Sequence, residues 1–167
     1  MTKPTMKLLP AFLAVMAMIG CVSCASSGGP DTHASHISSV KTTAYTETEK
    51  DHLKHGRGTA EGTTLKYGNV RSAAADWSVF PVGTVFQIDG EPFMYEVDDY
   101  GSALVGTNTI DLYKPSKKAM KQWGARKVNI KVVKWGSFSR SLAIMKPRTN
   151  NNYIQRMVDR IERSWRS

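Results

Sequence analysis

Asp98, Asp99 and Asp111 stand at the two ends of a Gly-containing connection, residues 98–111 (DDYGSALVGTNTID), that leads into an apolar strand. Carboxylates placed this way can converge around a sugar. Breaking a glycosidic bond needs a carboxyl that keeps its proton long enough to pass it to the leaving oxygen, and clustered acids raise one another's pKa in that direction. Retaining glycosidases pair a nucleophile with an acid, whereas inverting ones set two carboxyls farther apart to admit water. A third acid, Asp76, precedes Trp77, which could line a sugar face, and Asp76 could instead hold a loop through backbone N–H groups. The competing reading is structural, because Asp at strand ends commonly caps turns through backbone N–H groups.

Other chemistries find little support. His52 and His55 fit one turn, but no acid or cysteine spacing completes a metal site around them. The sequence has no phosphate-cradling Gly loop and no Gly-x-Ser-x-Gly elbow, so no cofactor and no metal is expected. The two cysteines, Cys21 and Cys24, both lie near the N-terminus, which leaves the rest of the chain without a disulfide or a catalytic thiol.

The elements that must hold these acids are mostly short strands. Apolar alternation between turn residues predicts strands at Val40 to Tyr45, Val70 to Ala74, Thr84 to Ile88, Phe93 to Asp98, Thr109 to Leu112 and Val128 to Val133. Pro81-Val82-Gly83 and Asp89-Gly90 supply turns. Six strands in about a hundred residues suggest a small barrel. One helix is expected over Lys117 to Trp123, with Ser116 as N-cap, Gly124 as stop and Ala119, Met120 and Trp123 on its apolar side. Residues 137–167 form a basic tail, in which Tyr153, Ile154, Met157, Val158, Ile161 and Trp165 recur at helical spacing opposite Arg156, Arg160, Arg163 and Arg166. Such a stripe either packs on its own domain or lies on a membrane or wall surface. Trp123 and Trp135 are expected in the core or at the rim, where either could stack on a sugar.

The N-terminus carries Lys3 and Lys7 and then a thirteen-residue apolar run, Leu8 to Gly20, too short to span a bilayer comfortably. It reads as a secretory signal peptide, residues 1–20. Met18-Ile19-Gly20-Cys21 resembles the lipobox of bacterial lipoproteins, which implies lipidation of Cys21, with Cys24 as an alternative. Residues 21–39, rich in Ser, Gly and His, read as a tether, and the domain is expected over 40–136. Removing residues 1–20 takes the net charge from +9 to +7. For an exported basic chain the natural partners are an acidic wall polymer or a lipid surface, not nucleic acid. Oligomeric state is open.

Taken together, Thr43-Ala44-Tyr45-Thr46, Gly58-Thr59-Ala60, Ala75-Asp76, Pro81-Val82-Gly83-Thr84, Asp99-Tyr100-Gly101-Ser102-Ala103, Gly106, Ile110-Asp111-Leu112-Tyr113 and Trp123-Gly124-Ala125-Arg126 resemble the bacterial 3D domain, named for three aspartates. That domain is similar to the catalytic barrel of membrane-bound lytic transglycosylase A. The resemblance implies a mainly β fold, a six-stranded double-psi β-barrel, here with one short helix and a C-terminal amphipathic helix. It places the three aspartates at Asp76, Asp99 and Asp111, with Asp99 as the acid acting on the bond between N-acetylmuramic acid and N-acetylglucosamine in peptidoglycan. Tyr45, Thr46, Thr59, Gly101 and Ser102 become candidate substrate contacts. Tyr100 and Ser102 depart from the Asp-Thr-Gly-Gly-like motif, and a side chain at Ser102 is expected to narrow the sugar's approach or alter the turn. A non-catalytic glycan-binding lipoprotein of expansin-like or rare-lipoprotein-A-like type is the alternative. The lipid anchor is expected in the outer membrane, facing the periplasm.

Overall fold

The computed structural model describes residues 35–48 and 56–166. The expected signal peptide, the expected lipidation sites Cys21 and Cys24, and the His52/His55 pair lie outside the described residues.

Six strands close into a barrel in the order β1-β5-β2-β4-β3-β6, where β1 is Ser35–Tyr45, β2 Val70–Ala74, β3 Val85–Ile88, β4 Met94–Asp99, β5 Ile110–Tyr113 and β6 Arg126–Lys134. Two pairs, β1/β5 and β2/β4, are parallel and the others antiparallel. Closure leaves no sheet edge unpaired, which suits strands this short. The strands fall where the alternation predicts them, with one large difference: β1 starts at Ser35, not Val40, and its first residues pair with β6. A bulge between Ile37 and Val40 interrupts the apolar alternation there, so the strand's first half carries no period-2 signal.

Alternation sends Ala73, Val97, Ile110, Leu112, Phe86 and Ile130 into the barrel core. The helix α1, Lys117–Trp123, is built as expected: Ser116 Oγ accepts from Ala119 N–H, and Gly124 ends it with φ 63°, a conformation that disfavours side chains. The tail forms two helices rather than one, α2 (Phe138–Met145) and α3 (Asn152–Ser164), separated by a 3-10 turn at Lys146–Arg148. Pro147 offers no N–H to continue α2. Leu142, Met145, Ile154, Met157, Val158 and Ile161 join the barrel's own core, so the stripe packs inward, while Trp165 is exposed. No helix among the described residues is long and apolar enough to cross a membrane.

Candidate active site

Strand register brings the acids together. Thr43 on β1 pairs with Asp111 on β5, Asp111 pairs with Ala74 on β2, and Ala74 pairs with Asp99 on β4, forming one row across four strands. Ile110 and Leu112 point into the core, so Asp111 and Tyr113 between and beyond them face the barrel's outer side. Strict alternation would send Asp98 outward and Asp99 inward. A bulge prevents that: Ala73 pairs with Val97 but Ala74 with Asp99, so two β4 residues oppose one step of β2 and both carboxylates reach the same side.

The carboxylates differ in their partners. Asp111 is half-buried and accepts from Thr43 Oγ1 at 2.7 Å. Asp99 is nearly buried, and its Oδ1 accepts from the backbone N–H of Ala60 at 3.0 Å and of Tyr100 at 2.9 Å. Asp98 is fully buried; Oδ2 accepts from Ser72 Oγ at 2.7 Å and meets Lys66 Nζ at 3.2 Å, whereas Oδ1 has no hydrogen-bond partner among the described residues. Burial raises the Asp98 pKa to about 6; Ser72 and Lys66 hold it down and the charge of Asp99 pushes it up. Asp98 belongs to the acid cluster expected from the sequence but not to the three aspartates that the family resemblance singles out. Its signal in the sequence was the doubled acid at a strand end.

Tyr45 completes the group. Its phenol is buried, and its pKa is raised well above the usual value by burial and then by the charges of Asp99, Asp98 and Asp111 in turn. The phenol therefore stays protonated and able to donate. Tyr45 and Tyr113 pack with ring centres 5.7 Å apart, and with Leu65, Ala74 and Leu104 they form a second apolar cluster on the outer side of the sheet.

The segment 56–67 is the cover over this face. Ala60 N–H binds Asp99, Glu61 N–H binds the Asp98 carbonyl at 3.0 Å, and Lys66 reaches Glu96 at 2.5 Å. Three arginines of the tail hold the surroundings. Arg140 pairs with Glu61 at 2.6 Å, Arg148 donates to the Ala60 carbonyl at 2.8 Å and to the Tyr100 hydroxyl at 3.1 Å, and Arg160 pairs with Asp76 at 2.9 Å.

Asp76 stands apart from the group. Fully buried, it accepts from Ser78 N–H and Oγ on one oxygen and from Gly106 N–H and Arg160 on the other, tying the turn after β2 to the loop before β5. This is the turn-capping role, by which Asp76 holds the loops that flank the site. Trp77 is also fully buried and donates from Nε1 to the Asp99 carbonyl at 2.9 Å, so the expectation that it lines a sugar face is corrected: it supports Asp99 from behind. Thr59 is used within its own turn, its hydroxyl bridging Thr63 Oγ1 and N–H, while Thr46 is buried at the end of β1 beside Glu47. Gly101 is extended (φ −136°, ψ 144°) and Ser102 opens a 3-10 turn without a left-handed φ, so the serine causes no backbone strain there. Its side chain is exposed.

Residues 71–134 match the model of the 3D domain family. The chain is also 34% identical over 98 residues to a Bacillus subtilis (strain 168) protein named "Putative cell wall shaping protein YabE", an alignment that takes in 58% of this chain. The chain spans only 23% of that relative's length.

Proposed function

Because the chain carries a 3D domain, we propose that it acts on the bacterial cell wall, as a lytic transglycosylase-like glycosidase cleaving the bond from N-acetylmuramic acid to N-acetylglucosamine. The observation that supports this most is the strand register that sets Asp111 and Asp99 in one row across four strands, with Asp98 brought to the same side by the bulge. Asp99, as the acid, gives its proton to the glycosidic oxygen while the bond from the muramic C1 to that oxygen breaks, and the N-acetylglucosamine end departs with the proton. The Asp99 carboxylate then takes the proton of the muramic C6 hydroxyl as its oxygen bonds to C1, which leaves a 1,6-anhydro end and restores the acid. Ala60 and Tyr100 N–H groups fix the carboxyl's orientation through Oδ1. Negative charge on Asp98 and Asp111 beside Asp99 favours the protonated form that the first step requires. Within this reading the protein is exported and anchored through a lipid on Cys21, in the outer membrane facing the periplasm.

A second reading is non-catalytic glycan binding, favoured by the near-complete burial of Asp98 and Asp99, which restricts a sugar's access to their protons. Incubating the full-length chain with purified peptidoglycan, followed by mass spectrometry of the products, tests both. We expect anhydro-muramic ends, reduced at least ~100-fold in Asp99→Asn. Reducing ends would indicate a hydrolase, and sedimentation with glycan without any cleavage would make the chain a binding module.

A further inference from the structure

A second surface on the barrel has features that the acid cluster does not use. A cleft of about 400 Å3 lies between the bulged part of β1, the segment Asn108–Thr109 and the aromatic pair Phe80 and Trp135. Trp135 is 46% exposed, and its ring lies nearly parallel to that of the buried Phe80, with centres 6.2 Å apart and 8° between planes. One indole face is thus backed by the core.

The backbone that carries this ring is tightly held. Next to it, Gly136 passes so close to the Pro81–Thr84 turn that an added Cβ would lie 2.2 Å from the Val82 carbonyl oxygen and 2.3 Å from that of Pro81. Gly136 N–H donates to Thr84 Oγ1 and Ser137 N–H to the Val82 carbonyl. Facing the aromatic pair, Ser39 is the one non-glycine residue with positive φ (59°) among the described residues, and its N–H is fixed by Asn129 Oδ1 at 3.1 Å. Backbone strain of this kind tends to be kept where a surface has a task.

We propose that this cleft is a carbohydrate subsite in which a pyranose ring of the glycan strand lies with its C–H face on Trp135. A rigid, backed indole suits the apolar face of a sugar, and the hydroxyls of Ser38 and Ser39 with the Asn108 amide provide partners for its edges. The cleft also continues the candidate active site. Lys41 and Thr109, which line it, sit two residues before Thr43 and Asp111 on the paired strands β1 and β5, roughly 7 Å along the sheet. A glycan strand passing Asp111 would therefore meet the Lys41 and Thr109 side of this cleft. The inference rests on the glycan-directed reading above for the identity of the sugar.

The test is an NMR titration of the full-length chain with tri-N-acetylchitotriose, following the Trp135 indole N–H and the Ser39 and Asn108 amides, beside Trp135→Ala and Trp135→Phe. We expect these signals to move, Trp135→Ala to weaken binding roughly tenfold or more, and Trp135→Phe to keep most of it. A chain that cleaves peptidoglycan but shows no movement at Trp135 would overturn the subsite and leave the catalytic reading intact. Movement at Trp135 in a parent chain that cleaves no peptidoglycan would keep the subsite and remove the catalytic reading. Shifts produced by a wall stem peptide and not by the sugar would assign the cleft to peptide and overturn the proposal.

Discussion

At the scale of single residues, Asp98 makes the clearest statement about pH. Its folded pKa of about 6, raised chiefly by burial, lies above the ~3.9 of an exposed aspartate, so the folded state binds the proton more tightly than the unfolded chain does. The resulting stabilisation is complete below about pH 4 and is lost as pH rises through about 6, an upper limit of about 3 kcal/mol for two units. Asp98→Asn keeps the Ser72 contact and removes the titration. Urea unfolding should show the variant gaining on the parent protein between pH 4.5 and 7.5, by up to that amount; parallel pH profiles would sink the assignment. The family motif pointed to Asp99 and Asp111, while the sequence offered Asp98 only as one of the neighbouring charges. Which side of a strand an acid faces depends on a one-residue bulge, and nothing in residues 94–99 announces it.

At the scale of elements, what was legible depended on how local the controlling physics is. α1 was readable from end to end because its cap and stop are set within a few residues. Turns at Gly83 and Gly90, both with positive φ, were readable for the same reason. The first half of β1 was hidden, since its pairing with β6 is settled by residues some ninety positions away. Trp77 was misplaced because an aromatic beside an acid looks the same in sequence whether it faces a ligand or backs the acid. Gly136 belongs here too: it gave no sequence signal, yet the Pro81–Thr84 turn leaves no room for a side chain. Gly136→Ala should lower stability by about 2 kcal/mol or more and shift the environment of Trp135, seen in thermal melts and indole fluorescence. An unchanged melting temperature would mean that the turn yields freely.

At the scale of the whole molecule, the C-terminal helices act as a brace, and their charges are mostly engaged inside the protein. Arg140, Arg148 and Arg160 each end on a loop that borders the acids. Arg148→Ala should speed hydrogen exchange at the Ala60 and Glu61 amides, and with it slow any glycan cleavage, while changing global stability by only about 1 kcal/mol because the guanidinium is exposed. Exchange at those amides that matches the parent protein would show that segment 56–67 is held by its other contacts alone.

The inward packing of that brace also bears on how such domains can be moved between proteins. The stretch that sequence comparison recognises, residues 71–134, omits β1, which lies between β5 and β6, and omits the six tail side chains that complete the core. Excised on its own, it would present two raw strand edges and an uncovered apolar wall, the usual makings of aggregation. What is portable is the longer segment from Ser35 to Ser164, so a graft or chimera designed on the recognisable boundaries should precipitate, whereas one cut at those outer limits should carry the barrel intact.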